Sequence, residues 1–205
     1  MDLLERGDLA WCEIDGHLIF LDIANDRYFC LPDARNRQAV ERLDRLSLTH
    51  WRQPSNLPSP SGWTTPATAC PAMREGAFRL TEVARAIWVQ RRIERRLALR
   101  SFASVLIDLR HTLDARCHVA GPFHPAVQRA VRAFELSRLL RTAADRCLPR
   151  SIALALCLAG RGVRSHVVLG VKLAPFGAHC WVQIGDEVLN DSVEEVLRYR
   201  PILIV

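Results

Sequence analysis

Five prolines between residues 53 and 72 interrupt the chain and constrain its fold more than any other feature. Prolines at this density, with serine, threonine and glycine between them, disfavour a regular hydrogen-bonded ladder. Such a composition is typical of an interdomain linker. It predicts a division of the 205 residues into a first domain at 1–52, a linker at 53–77 and a second domain at 78–205.

The first domain has the pattern of a short antiparallel sheet followed by a helix. Two turn signals, Asp15-Gly16 and Ala24-Asn25-Asp26, separate apolar segments and predict three strands between residues 10 and 31. Pro32-Asp33 then begins a helix. Its less polar face is predicted to carry Ala34, Gln38, Val40, Leu43 and Leu46.

The second domain changes to helical and then to strand periodicity. Helices are predicted from about residue 78, over about 101–114 and from His124-Pro125. The first of them has its apolar stripe at Leu80, Val83, Ala84, Ile87 and Trp88. Residues 151–159 are apolar on nearly all sides, which predicts a buried helix. Strands at 165–173, 178–184 and 187–191 follow, so we expect an α+β fold with helices packed on an antiparallel sheet.

Composition limits the classes of function. The net charge is +6, but neither interleaved aromatic residues nor a known motif accompanies the basic residues, so we expect no nucleic-acid partner. No apolar segment reaches the roughly 20 residues of a membrane span, and the acidic N-terminus lacks the pattern of a signal peptide. We therefore expect a cytoplasmic protein without a membrane partner. The seven cysteines show neither a Cys-x-x-Cys pair nor zinc-ligand spacing, which argues against a disulfide framework and a metal site.

Three residues follow one another in an order that suits nucleophilic catalysis. Cys147 precedes Pro149, a typical first-turn residue, so its thiol is expected at a helix N-terminus, where the helix dipole favours the thiolate. His179 begins a predicted strand and could act as a general base. Asp191 ends the next strand and could orient the imidazole. Each of these residue types alone is more often structural, and from spacing alone both interpretations stay open.

The other cysteines and histidines are weaker candidates. Cys157 lies inside the apolar helix, where burial raises the pKa of a thiol, and Cys180 is expected to point away from His179. Cys117-His118 is not closely followed by a strand that carries a carboxylate. Cys12 and Cys30 are expected to pack in the first sheet, and His166 is expected to be structural. His111, His118 and His124 show no Glu-x-x-His or repeated ligand spacing that would support a metal site.

The residues around the three candidates resemble a known family. Arg146-Cys147-Leu-Pro149-Arg150-Ser151, Ala178-His179-Cys-Trp181 and Asn190-Asp191 are similar to the leader peptidase, or B protein, of lasso peptide biosynthesis, a thiol protease of the transglutaminase-like and papain-like class. The resemblance covers about residues 80–205. It implies an enzyme of peptide-antibiotic biosynthesis in which Cys147 is the nucleophile, His179 the base and acid, and Asp191 the residue that orients His179.

The first domain carries a second resemblance. His17-Leu-Ile-Phe-Leu-Asp22 and Asp26-Arg-Tyr-Phe-Cys-Leu31 are similar to the small, winged-helix-like domain that binds the leaders of ribosomally made, modified peptides as an added strand. An exposed strand edge suits that role because its backbone groups are unpaired. The resemblance implies leader contacts at Arg27, Tyr28, Phe29, Cys30 and Leu31. Alternatively, the apolar members of this segment are core residues. Such domains usually have three helices after the sheet, so this one is expected to be abbreviated, or completed by helices near 78–99.

The resemblance also implies partners. These are the leader of a lasso precursor and an asparagine-synthetase-like cyclase, which would receive the core peptide. The chain has no Gly-rich phosphate-binding loop, so we expect it to bind no cofactor and assign any use of ATP to the cyclase. Two alternatives stay open. One is a transglutaminase-like enzyme that transfers the acyl group to an amine, and the other is a catalytically inactive adaptor that binds the precursor.

Overall fold

The computed structural model describes residues 3–71, 78–116, 124–140 and 146–205. Cys117-His118 and the last residues of the expected linker, 72–77, lie outside the described residues.

An antiparallel meander begins the chain, as the turn signals predict. At its first turn Asp15 and Gly16 have φ angles of 50° and 77°, the left-handed conformation that an Asp-Gly pair adopts in tight hairpins. A two-residue strand then pairs with the first strand of the meander, which gives a sheet in the order β3-β2-β1-β4. The strands are β1 (Leu9–Ile14), β2 (His17–Asp22), β3 (Arg27–Cys30) and β4 (Trp51–Arg52).

Helix α1 (Asp33–Arg45) packs against β2, and its buried face differs in part from the prediction. Leu43 is buried as expected, whereas Leu46 is exposed. The buried polar residue is Asn36, whose side-chain oxygen accepts a hydrogen bond of 2.9 Å from the backbone N–H of Leu18. Hydropathy did not identify this position because an amide becomes a core residue only when the fold supplies its partners.

Four long helices follow α1 in the described part of the chain, and the first of them, α2, packs against the other three. Helix α2 buries Val83, as predicted, together with Ala86, Gln90 and Ile93. The predicted stripe is wrong for three exposed residues, Leu80, Ala84 and Trp88. Gln90 lies inside because its side chain donates a hydrogen bond of 2.9 Å to Ser137 Oγ of a neighbouring helix. The helices are α2 (Leu80–Leu99), α3 (Phe102–Arg116), α4 (Pro125–Leu139) and α5 (Cys147–Ala159).

A second sheet follows α5 in the chain. Its order is β5-β8-β7-β6-β9, with β5 parallel to β8 and the other pairs antiparallel. The expected strand at 187–191 ends at Val188, and the last strand was not predicted. The elements are β5 (Thr68–Ala69), β6 (His166–Lys172), β7 (Gly177–Ile184), β8 (Glu187–Val188), α6 (Val193–Val196) and β9 (Arg200–Ile204).

The proline-rich segment lies against this second sheet. Leu57 is buried, and β5 pairs with β8 even though the composition disfavours a ladder. The side chain of Gln53 donates a hydrogen bond of 2.9 Å to the backbone oxygen of Ile204 and accepts one of 2.9 Å from its N–H. The segment therefore connects the two sheets through specific contacts, while the boundaries at residues 52 and 78 stay predictions.

One continuous apolar core joins the first sheet to the helices and to the second sheet. Cys12 and Ile19 of the first sheet belong to the same buried cluster as Leu154 of α5 and Leu169 of β6. The fold is α+β, as expected from the order of the elements. Within the described residues, no helix combines the length and the apolar character that crossing a membrane requires.

Candidate active site

The first turn of α5 places the candidate nucleophile. Cys147 is the first residue of the helix, and Pro149 fits there because a first-turn N–H has no partner within the helix. The thiol of Cys147 is partly buried against the main core. It accepts hydrogen bonds from the backbone N–H groups of Leu148 and Cys180.

Strand β7 brings the candidate base to this thiol. One edge of β7 pairs with β6 over nearly its whole length, with Gly170 opposite His179. The other edge pairs with β8 at Gln183 and Ile184, so among the described residues no strand covers that edge beside His179. The start of α5 approaches this uncovered edge. Cys180 points to the other face of the sheet and is buried there, as strand alternation predicts.

The structure brings the three sequence candidates together. His179 Nε2 donates a hydrogen bond of 2.8 Å to Asp191 Oδ2. The side chains of His179 and Cys147 also hydrogen-bond to each other, so the imidazole lies between the carboxylate and the thiol. Asp191 lies three residues after the end of β8, in a bend rather than at the end of a strand. Its other oxygen accepts a hydrogen bond of 2.9 Å from the backbone N–H of Ser192.

The surroundings favour a thiolate–imidazolium pair. Burial alone would raise the pKa of the Cys147 thiol, but the hydrogen bond and charge of His179, together with the backbone N–H groups of Cys180 and Leu148, lower that pKa below its ordinary value. Burial opposes the charge on His179 too, yet its hydrogen bonds with Asp191 and Cys147 raise the pKa of the imidazole to about 9. Both shifts favour the state in which the proton is on the imidazole and the thiol is ionised.

Asp191 is held as an anion. Burial would raise the pKa of its carboxyl group, but the hydrogen bonds from His179 and from the N–H of Ser192, followed by the charges of His179 and Arg150, lower it. The guanidinium of Arg150 is 3.9 Å from the Asp191 carboxylate and donates a hydrogen bond of 3.0 Å to the backbone oxygen of Asn190. Arg150 therefore fixes the bend that carries Asp191.

A buried polar network ties the three elements of the site together. The Asn190 side chain accepts a hydrogen bond of 2.8 Å from the N–H of Val182 and donates one of 2.9 Å to Ser151 Oγ. Ser151 Oγ in turn donates a hydrogen bond of 2.9 Å to the backbone oxygen of Cys180. Helix α5, strand β7 and the bend before Asp191 are thus fixed relative to one another. Ser151 and Asn190 belong to the motif around the three candidates, but the sequence predicts no role for them. Their role depends on hydrogen-bond partners that are far away in the chain.

Two aromatic side chains on one face of the second sheet pack near the imidazole. The ring centroid of Tyr199 is 5.1 Å from that of His179, and the centroid of Trp181 is 6.3 Å away. Both aromatic residues also line a cleft of about 830 Å³. The cleft runs from this face towards the first sheet, where Ile14 and Trp51 line it.

The competing thiols and histidine lie in less reactive surroundings. Burial raises the pKa of Cys157 and of Cys180, and it raises the pKa of Cys12 to about 12. Burial, with the charges of Arg164 and Arg110, lowers the pKa of His166 to about 4. Among the described residues, no group of three histidine, cysteine or acidic side chains could hold a metal ion.

The residues expected to contact a leader lie on β3 and directly after it. Within the described residues, β3 pairs with β2 alone and so forms the outer strand of its sheet. Arg27 and Cys30 are exposed, and Phe29 stacks on Phe20 at a centroid distance of 5.1 Å. Tyr28 faces the main core on the opposite side of the strand, and the last residue of the set, Leu31, packs beside α1.

Comparison with known proteins agrees with the geometry. A family model described as "Transglutaminase-like superfamily" matches residues 77–204, a range that includes Cys147, His179 and Asp191. The chain belongs to the transglutaminase-like superfamily. The chain is also similar to the microcin J25-processing protein McjB of Escherichia coli, to which it is 44% identical over 46 residues. This segment spans 22% of the chain and 22% of the relative. No solved structure matches the chain.

Proposed function

We propose that this protein is a cysteine peptidase that removes the leader from a lasso peptide precursor. The observation that carries the proposal is the contact of His179 with both Asp191 and Cys147, at a thiol whose pKa is lowered. Membership of the transglutaminase-like superfamily supports cysteine chemistry at this place in the fold. The similarity to a protein named for processing microcin J25 supports a peptide precursor as substrate.

The geometry supports a two-step hydrolysis. The Cys147 thiolate attacks the carbonyl carbon of the scissile peptide. We assign the resulting oxyanion to the N–H groups of Leu148 and Cys180, which act on the Cys147 thiol. The imidazolium of His179 gives its proton to the leaving nitrogen, which becomes the α-amine of the core peptide. The leader remains on Cys147 as a thioester. Water then loses a proton to His179 and attacks the thioester, which releases the leader as a carboxylic acid and restores the thiolate–imidazolium pair.

The outer strand of the first sheet is the place we assign to the leader. An extended peptide added beside β3 would pair with backbone groups at the edge of this sheet. The exposed side chains of Arg27 and Cys30 and the partly buried Phe29 would then contact it. By this proposal the unit is an abbreviated recognition domain, since α1 is followed by the proline-rich segment and α2 packs against α3, α4 and α5.

The freed core peptide would pass to an asparagine-synthetase-like cyclase. Removal of the leader exposes the α-amine that such an enzyme needs as a nucleophile. We assign the use of ATP to that partner and place this chain upstream of it in a cytoplasmic pathway.

Superfamily membership also favours one second candidate. The thioester on Cys147 can react with an amine instead of water, which would make the protein an acyl transferase. The two activities differ in their products, because hydrolysis yields a free leader acid and transfer yields an amide of the leader.

Mass spectrometry of a synthetic precursor separates these activities. A synthetic lasso precursor that carries its leader is incubated with wild type, Cys147→Ala and the control variant Cys157→Ala, with and without an added primary amine. We expect leader acid and core from wild type and Cys157→Ala, and intact precursor from Cys147→Ala. An amide of the leader would favour acyl transfer. Cleavage that persists in Cys147→Ala would contradict the assigned nucleophile, and binding without cleavage in wild type would indicate an adaptor.

A further inference from the structure

An exposed aromatic side chain lies beside the catalytic edge of the second sheet. Phe176 is in the loop between β6 and β7 and is 52% exposed. Its ring contacts Tyr28 of β3, with centroids 5.8 Å apart and ring planes tilted by 59°. Tyr28 itself is largely covered by the core, so it holds one side of Phe176 in place and leaves the other side open to a ligand.

This aromatic pair lies between the outer strand of the first sheet and the reactive thiol. Phe176 precedes His179 by three residues on the same hairpin. Tyr28 and Cys147 both pack against the main core. Burial raises the pKa of Tyr28, and the charges of Cys180, Asp26 and Cys147 add to that increase. A peptide that leaves the edge of β3 and reaches Cys147 therefore passes the pair.

The loop around Phe176 also indicates which side chains it suits. Ala174, Pro175, Phe176 and Ala178 are all exposed and uncharged. A charged ligand residue would gain no ion pair from these side chains, whereas an apolar one would remove aromatic surface from water.

We propose that Phe176, supported by Tyr28, binds an apolar side chain among the last leader residues before the cut. This inference rests on the proposed function and adds a substrate contact between the strand edge and the catalytic residues. The pair would set the register of the peptide after the leader has bound, so that the scissile carbonyl meets the thiolate.

Binding to the Cys147→Ala protein tests the proposal without turnover. Two fluorescent peptides are compared by anisotropy: the leader with the first core residues, and a leader that lacks its last few residues. We expect Phe176→Ala to lower the affinity for the longer peptide about tenfold, equivalent to about 1.4 kcal/mol. The affinity for the truncated leader should not change. Phe176→Leu should restore part of the loss, because it returns apolar surface.

Trp88→Ala provides the matched control. Trp88 is an aromatic residue with 59% exposure on α2, and its removal should change the affinity of neither peptide. In the protein that retains Cys147, the rate of alkylation of this thiol by iodoacetamide should be the same with and without Phe176→Ala, which separates a substrate contact from damage to the site.

The outcomes distinguish this inference from the proposed function. The substrate contact would be overturned if Phe176→Ala lost the same affinity for both peptides or lost none for either. Slower alkylation of Cys147 in this variant would also overturn it. Efficient cleavage of the precursor by Phe176→Ala would overturn it as well and leave the peptidase assignment intact. If Phe176→Ala loses affinity for the longer peptide alone and wild type does not cleave the precursor, the result would support the contact and contradict the peptidase assignment.

Discussion

At the scale of single residues, the chemistry depends on where one proton resides. Cys147 and His179 are partly buried, and each stabilises the charged form of the other. Asp191 adds to this by accepting the second hydrogen bond of the imidazole at 2.8 Å. The order Cys147, His179, Asp191 could be read from the sequence. The sequence also predicted that a helix N-terminus favours the thiolate of Cys147. The effects of His179 and of the Cys180 N–H on the thiol pKa could not be read from it, because they depend on the packing of α5 against β7.

Alkylation by iodoacetamide as a function of pH tests the ionised thiol. The pKa of Cys147 is lowered, so we expect its reaction to begin at a lower pH than that of an ordinary thiol, which is half ionised at about pH 8.5. Exposed Cys30 is the internal comparison, because partial burial raises its pKa and it should react only in alkaline solution. The sites are followed separately by peptide mass mapping. The same alkaline onset for both thiols would contradict the thiolate–imidazolium pair.

Turnover should have an additional alkaline limit. The pKa of His179 is raised to about 9, so the imidazolium that protonates the leaving amine is present below this pH and is lost as the pH rises through it. The thiolate forms as the pH rises through the lowered pKa of Cys147, which gives a bell-shaped profile of kcat/KM. Asp191→Asn removes a cause of the raised imidazole pKa and should move the alkaline limb to lower pH. A limb that does not move in this variant would exclude the proposed role of Asp191.

At the scale of elements, a glycine in the second sheet leaves room for the aromatic residues that pack beside His179. A Cβ placed on Gly170 of β6 would lie 2.7 Å from the Trp181 ring and 2.9 Å from Cβ of Tyr199. We therefore expect Gly170→Ala to cost about 1–3 kcal/mol of stability by overpacking and to lower kcat by displacing the rings that support the imidazole. Gly160→Ala at the end of α5 is the control, because its Cβ would meet neighbours at ordinary distances of 3.5 Å and more. Thermal unfolding and kinetics of both variants check this, and equal behaviour would contradict it.

The network of Asn190 makes a separate prediction for the elements of the site. Asn190→Ala leaves the N–H of Val182 without its partner and removes the hydrogen bond that the Ser151 hydroxyl accepts, while Ser151 still donates to the Cys180 oxygen. An unsatisfied buried group such as the Val182 N–H costs about 1–3 kcal/mol, and the bend that carries Asp191 would also loosen. Thermal unfolding should show a lower Tm than for Asn56→Ala, an exposed asparagine in the proline-rich segment. A Tm equal to that of the control would show that the network contributes little.

Local patterns predicted some elements well and others poorly. The meander, α4 and α5 follow directly from turn pairs, from Pro125 and from continuous apolar sequence. The stripe of α2 and the face of α1 were wrong in part, because Gln90 and Asn36 are buried through partners distant in sequence. Strands β4 and β5 have two residues each, too few for any periodicity, and their pairing depends on the tertiary fold.

At the scale of the whole molecule, one core connects the part that we assign to leader recognition with the part that carries the thiol. Cys12 of β1 and Cys180 of β7 are both buried in this cluster. We expect the protein to unfold as one unit, so both thiols should become reactive at the same denaturant concentration. Labelling followed by peptide mass mapping measures this. Exposure of Cys12 at a clearly lower concentration than Cys180 would instead indicate two independent domains.

The shared core would allow the chain to couple the proposed recognition to the proposed cleavage. The strand that we assign to the leader contacts the hairpin that carries His179 through Tyr28 and Phe176, and Gln53 of the proline-rich segment hydrogen-bonds to the second sheet. The composition of this segment predicted a linker, but composition does not reveal which of its residues are buried. A leader held on the first sheet would therefore present its cut site to a thiol in a fixed position.

The most direct test of the account is an affinity label. A leader peptide that ends in a chloromethyl ketone places an electrophile where the scissile carbonyl would lie. The account predicts one covalent leader per protein, located on Cys147 by peptide mass mapping, and formed much faster than with the same electrophile on a peptide without the leader. Labelling of another residue, or equal rates for the two peptides, would contradict a leader-directed cysteine peptidase with Cys147 as its nucleophile.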